Sequence, residues 1–383
     1  MPTTLRLAPP RDYLLYRDVC SYGYFVLEPN WWDPVSRVLR RVLTLKSGPT
    51  PCVIWQGSRD PNAPAIGRPA ARGQPLNVRF TTTLDPPTKR EAVAQLERML
   101  NFVDDAKALK AYHALDPRWR KSGRGRLFRS PTLFEDVIKT VTSCNVAWPS
   151  TVRMNQRLCQ VVGESGAFPS PQQLASTPLA LLRARCSVGY RDARIVELAK
   201  LFVSGHVNEQ WLMNPTTPDD QVRDFLIDLP GIGPYAAANI MQLLGRYAHL
   251  PLDSESVRHG RNVLGFKGNE RAIMRRVQRH FAPFKDHAFR SYWFELWDFY
   301  EKKKGPSWTW DRDKTASAFT ASQFKKDQLA DLPPAARAKK KTRRAPAAVP
   351  RRAARSASPA TSSASSPTQS RPRRKAAAAR TTR

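Results

Sequence analysis

Two neighbouring stretches carry residues whose types and spacing could act together. LPGIG at 229–233 separates two helical patterns, DDQVRDFLID before it and PYAAANIMQLLG after it. Pro230 ends the first pattern, Gly231 and Gly233 permit tight backbone geometry and close approach of a ligand, and Pro234 suits the first turn of the second helix. Leu229, Pro230, Gly231, Ile232 and Gly233 therefore form a hairpin whose N–H groups, with the positive end of the following helix, face outward. Such a turn holds a phosphate and reads no base. A monovalent cation, K+ or Na+, on the carbonyls of Ile227, Leu229 and Ile232 is a further expectation. A tight turn between packed helices would look alike, but Ala236, Ala237 and Ala238 allow close packing behind the hairpin, and an acid follows it. That acid is Asp253 in HLPLDSESVRHG (249–260). Asp is among the best N-cap residues, its oxygen taking the N–H of Glu255 or Ser256. A carboxylate held by helix N-terminal amides is expected to stay ionised, which suits it to stabilising a developing cation.

The elements that must position these residues fall into two kinds. From Asp12 to about Asp85, YGYFVLEP, RVLRRVLTL, CVIWQG and LNVRFTTTL read as strands between Pro, Gly and Asn, and 58–75 reads as a loop. After Asp85 the period becomes helical, with helices expected at 88–102, 104–115, 131–144, 149–162, 171–184, 189–203, 218–228, 234–246, 254–263, 270–280 and 286–303. The fold class expected is mainly α: a two-lobed helical body behind a small antiparallel β-rich domain, α+β overall. The expected divisions are 1–86 (β-rich), 87–303 (helical body), 304–335 (extension) and 336–383 (basic tail).

The chain has 383 residues and a formal net charge of +31. Fifteen Lys and Arg and no acid lie in 336–383, leaving a net charge of +16 on 1–335. The tail alternates basic clusters with Ala, Pro and Ser, so it is expected to be disordered and to favour polyanions without reading sequence. Sixteen net charges on the folded body point to the same kind of partner. Cys20, Cys52, Cys144, Cys159 and Cys186 form no CxxC pair, which argues against a zinc finger or four-cysteine cluster and fits a reducing compartment. No apolar run nears bilayer length and no signal-peptide core is seen. An intracellular, DNA-associated monomer is expected, in a bacterial nucleoid or a nucleus.

LPGIGPYAAANIMQLLG with LPLDSESVRH resembles the helix–hairpin–helix, Gly/Pro-rich loop and Asp of the DNA glycosylase superfamily. SCNVAWPSTVRMNQRLCQVVG (143–163) and SVGYRDARIVELA (187–199) are similar to helical segments of its 8-oxoguanine and 3-methyladenine branches. The resemblance implies base excision on double-stranded DNA containing a damaged base, an alkylated or oxidised purine, with the nucleotide flipped into a pocket and its N-glycosidic bond cleaved. Asp253 then takes the place of the family's acid, stabilising the oxocarbenium-like sugar and helping position the attacking water. Bifunctional members carry a Schiff-base Lys where this chain has Tyr235. A phenol cannot form that adduct, which implies a monofunctional enzyme with Tyr235 lining the base pocket. Tyr190 and Arg191 match residues that intrude into the duplex, and Asn145 lies where a turn touches the opposite base. Trp293 and Trp297, at i, i+4 in SYWFELWDFY (291–300), either wall the base pocket or pack in the core. Glu255 is expected to be a solvated first-turn carboxylate, and His249 and His259 fit no metal spacing. The iron–sulfur loop of some branches is absent, and no organic cofactor is implied.

Two rivals keep the same residues. A non-catalytic protein could use the hairpin only to grip DNA backbone, although a carboxylate beside phosphates then costs Coulomb repulsion. A bifunctional glycosylase/lyase could use another amine.

Overall fold

The computed structural model describes residues 2–58, 61, 70–104 and 106–310. Five strands, β1 (Thr4–Leu7), β2 (Trp31–Asp33), β3 (Val38–Leu45), β4 (Gly48–Gln56) and β5 (Leu76–Phe80), form one antiparallel sheet in the order β1-β5-β4-β3-β2. Register follows the apolar pattern: Leu39 faces Ile54, and Ile54 faces Val78, so all three lie buried on one face. Along β3, Leu39, Arg41, Leu43 and Leu45 point inward, which places a guanidinium in the core. Arg41 pairs there with Glu135 of α4 (Leu133–Ser143) at 3.0 Å, and Lys139 closes on the same carboxylate at 2.6 Å. A buried charge is tolerated only when paired, so this cluster ties sheet to helix.

Before α4 stand α1 (Leu15–Val19), α2 (Pro86–Met99) and α3 (Ala106–Leu115). After it come α5 (Trp148–Val161), α6 (Pro171–Ser176), α7 (Leu179–Leu181), α8 (Asp192–Val203), α9 (Glu209–Met213), α10 (Asp219–Asp228), α11 (Pro234–Leu243), α12 (Ser254–Asn262), α13 (Glu270–Phe281) and α14 (Ala288–Lys304). The α+β, mainly helical architecture is the one expected. Among the described residues, no helix is long and apolar enough to cross a membrane.

Three local expectations are corrected. YGYFVLEP is not a strand; Gly23–Val26 is a 3-10 turn. Its residues are buried without alternation, and an unbroken apolar run cannot by itself distinguish a strand from a turn packed on both sides. The helix expected at 171–184 breaks where Pro178 follows Thr177, because the residue before proline avoids helical geometry. Helix α9 is not among the expected helices. The basic tail lies outside the described residues, as does most of the loop expected at 58–75.

The described residues hold two hydrophobic clusters. One joins the inner face of the sheet, through Leu39, Ile54 and Phe80, to α2, α13 and α14. The other packs α4, α5, α8, α10 and α11 around Val137, Ile138, Leu158, Leu226 and Ile240. The β-rich start thus shares a core with the last helices, and hydrophobic packing runs across residue 86.

Candidate active site

Helices α10 and α11 flank the turn at 229–233. Gly231 has φ +77°, and a Cβ there would lie 2.6 Å from Arg194 Cδ, so both backbone geometry and space call for glycine. Leu229 and Ile232 are buried in the second cluster, while Gly231 and Gly233 stay exposed. Only the backbone of the two apolar residues can therefore meet a ligand. Ile232 N donates to the Leu229 carbonyl at 3.1 Å, which leaves that oxygen a second lone pair. Pro234 opens α11, whose first-turn N–H groups have no partner inside the helix.

After α11, a short return through Pro251 sets Asp253 as the N-cap of α12. Asp253 Oδ1 accepts from Glu255 N (2.9 Å), Ser256 N (3.0 Å) and Ser256 Oγ (3.3 Å). The Ser256 hydroxyl also bonds the Tyr292 phenol at 2.8 Å. Oδ2 receives no hydrogen bond from the described residues, and Asp253 lines a cavity of about 420 Å³. The helix cap does not hold this carboxyl in the ordinary aspartate range. Burial pushes it up to about 6, the amides of Ser256 and Glu255 pull it back, and the nearby Glu255 charge adds to the rise. At that value about nine-tenths of it is ionised at pH 7.

The cavity brings together segments far apart in sequence: the 3-10 turn at 23–26, the bend between α4 and α5, the N-terminal parts of α11 and α12, and the middle of α14. Tyr22, Tyr24, Trp148, Tyr235, Tyr292, Trp293, Trp297 and Tyr300 all contribute to its walls. Tyr235, expected there, stands close enough to Asp253 that burial and then the carboxylate hold its phenol far above its ordinary value. It is a neutral hydroxyl at any working pH. Trp293 and Trp297 both line the cavity and pack against the first hydrophobic cluster. Their N–H groups are tied to the Ser21 and Cys20 carbonyls at 2.8 and 3.2 Å, and their rings stack 5.3 Å apart along the wall. Asn239 links Tyr22, whose phenol donates to it at 3.2 Å, to the Tyr235 carbonyl, to which it donates at 3.1 Å.

For the other residues the sequence singled out, the picture differs in part. Tyr190 is 54% exposed, with its ring beside the guanidiniums of Arg191 and Arg194. Arg191, expected to intrude into DNA, is only 5% exposed. Its guanidinium donates to the carbonyls of Val141 (3.2 Å), Val188 (3.3 Å) and Cys144. Freeing it would strand those buried acceptors, so it clamps the bend that carries Asn145 rather than reaching outward. Asn145 itself is exposed with φ +53°. Glu255 is also corrected: it is no solvated carboxylate but is bound by Arg258 and by the Tyr300 phenol. His259 is buried against Glu295 at 2.8 Å. Among the described residues, no group of His, Cys, Asp and Glu is arranged to hold a metal.

Tyr300 was reachable from sequence, since it extends the Trp293–Trp297 stripe at helical spacing, whereas Tyr292, one residue before Trp293, lies off that stripe. Tyr22, Tyr24 and Trp148 carried no such signal.

This architecture, with a sheet at one end and a helix–hairpin–helix beside a carboxylate-bearing cavity, is the fold of helix–hairpin–helix DNA glycosylases. A 3-methyladenine DNA glycosylase from Archaeoglobus fulgidus superposes with TM-score 0.56 and 16% identity over 77% of this chain and 98% of its own. MBOgg1 in complex with a low-affinity DNA ligand gives 0.57 and 16% over 79% and 97%. An 8-oxoguanine glycosylase/lyase of Clostridium acetobutylicum, bound to double-stranded DNA with cytosine opposite 8-oxoguanine, gives 0.51 and 14% over 75% and 93%. No protein-family model matches the sequence, and no curated protein matches it.

Proposed function

We propose that this chain is a monofunctional DNA N-glycosylase that excises damaged purines and hydrolyses the N-glycosidic bond with Asp253. The observation that carries the reading is an accepting carboxylate oxygen left over on a cavity large enough for a base, beside a glycine-flanked hairpin. The hairpin N–H groups, on a chain whose sequence carries a net charge of +31, hold duplex backbone. A K+ or Na+ on the carbonyls of Ile227, Leu229 and Ile232 would add positive charge facing a phosphate. With the nucleotide extruded, Tyr190 fills the gap and Asn145 meets the opposite strand. As the base departs, Asp253 balances the positive charge on the sugar and orients the attacking water.

Of the two damage classes, alkylated purines fit the cavity better. Eight aromatic side chains line it, with two carboxylates and no Lys, Arg or His. Aromatic faces and carboxylates attract a base that carries positive charge, as many alkylated purines do.

The test is a panel of duplexes, each with one damaged base, followed by alkali to cut abasic sites. Release of an alkylated purine is the expected result, and a duplex-binding protein that releases none of the panel is not this enzyme. Tyr235 stands where a lyase needs an amine, and no lysine lines the cavity. Borohydride on abasic DNA is therefore expected to trap no covalent complex; a strong adduct would replace the water mechanism with a Schiff-base one.

The tail gives a separate prediction. Truncation near Pro334 removes fifteen Lys and Arg and is expected to flatten the dependence of log affinity on log salt while base excision continues. Loss of excision in the truncated chain would give the tail a part in catalysis.

A further inference from the structure

The two charged side chains on the cavity are both carboxylates, Asp253 and Glu255. The proposed hydrolysis uses Asp253 directly and gives Glu255 no contact with the reacting atoms. Glu255 Oε1 accepts from Arg258 Nε at 2.7 Å, from Arg258 Nη2 and from the Tyr300 phenol. The Arg258 side chain is 9% exposed, with its guanidinium 4.6 Å from the Phe299 ring centroid. This clamp arrives from two helices, α12 and α14. All three bonds fall on Oε1, and Oε2 takes none from the described residues. An acceptor-only group, fixed in orientation and neutralised from behind, thus borders the space a base would fill.

We propose that Glu255 is a specificity-determining residue: its Oε2 accepts a hydrogen bond from an N–H on the edge of the extruded base, and the Arg258–Tyr300 clamp holds it in that orientation. The inference rests on the glycosylase reading and deepens it. A base with an N–H at that edge satisfies the carboxylate. One whose amino nitrogen has been closed into a ring leaves it unpaired in a site without bulk water. Sites that hydrogen-bond a substrate group reject analogues lacking it far more strongly than apolar pockets do.

Glu255→Gln separates the possibilities at nearly constant shape. Arg258 and Tyr300 both donate, so the amide must turn its oxygen toward them, and its NH2 then lies where Oε2 was. The acceptor becomes a donor. The full chain is titrated with three nucleosides, read by quenching of tryptophan fluorescence, since Trp148, Trp293 and Trp297 line the cavity. Adenosine is neutral and carries the amino group, 1-methyladenosine carries it with a positive charge, and 1,N6-ethenoadenosine lacks the donor. Glu255→Gln is expected to weaken adenosine and 1-methyladenosine by at least about tenfold and to tighten 1,N6-ethenoadenosine, whose ring nitrogen can accept from the new NH2. A loss confined to 1-methyladenosine would reduce the role to charge and overturn the hydrogen bond. Equal weakening of all three, or an unchanged ratio with altered duplex affinity, would make Glu255 a structural or backbone-facing group and overturn the proposal. Quenching by none of the three in the unsubstituted chain would overturn it together with the base-pocket reading, which the duplex panel tests on its own.

Discussion

Replacing Asp253 by Asn is expected to lower base release by 10²- to 10⁴-fold while leaving affinity for damaged duplex unchanged. Asn keeps the cap, because its side-chain oxygen can still take the Glu255 and Ser256 amides. What it lacks is the negative charge the departing base requires. The same substitution is expected to stabilise the folded chain. Asp253 titrates near 6 when folded, against an ordinary aspartate value of 3.8, so the folded chain binds that proton more tightly than the unfolded one. Stability from this group is therefore greatest below about pH 4, falls as pH rises to about 6, and is flat above. At pH 7 the ionised carboxyl costs on the order of 3 kcal/mol. The uncharged amide would escape most of that cost, raising Tm by several degrees at pH 7 and little at pH 4. The rate of the unsubstituted chain should fall below about pH 6 as the carboxylate protonates. A duplex assay paired with thermal melts at pH 4 and pH 7 measures all of this. Full release by the variant, or a Tm difference independent of pH, would remove the carboxylate from the chemistry or from its buried setting.

Gly23→Leu is expected to abolish measurable excision of a purine, a loss of at least about a hundredfold, without weakening duplex binding. Gly23 forms part of the cavity wall, and even a Cβ there would lie 3.1 Å from the Trp148 ring. A leucine side chain must either displace that indole or enter the space reserved for the base. Overpacking of this kind costs about 1–3 kcal/mol, so melting is followed alongside activity. The hairpin lies on other elements and is untouched, which is why duplex affinity should persist. Gly23→Ala needs the indole to yield only a few tenths of an ångström and should fall between. Undiminished release by the leucine variant in a folded chain would move the base site elsewhere.

The helix–hairpin–helix and the Asp253 cap were legible because each depends on a few consecutive residues. Pro230, Gly231 and Pro234 shape the turn through their own backbone preferences, whereas Gly233 adopts extended geometry open to any residue, and Asp253 needs only the amides two and three positions on. Strand β3 and helix α4 announced themselves by periodicity. The YGYF segment misled for a physical reason: a residue run buried on all sides loses the alternation by which a strand is recognised. Arg191 misled in another way, since its chemistry suits DNA as well as it suits three backbone carbonyls.

Sequence alone thus determined the features whose causes are local: the glycine-flanked turn, the capping carboxylate and the helical body. Tertiary structure decided the rest. Tyr22, Trp148 and Trp297 meet around one cavity only because the sheet and the last helices share a core, and the Asp253 carboxyl is raised because that meeting excludes water from it. Such proximity arises from packing between segments hundreds of residues apart, which no short stretch of sequence encodes.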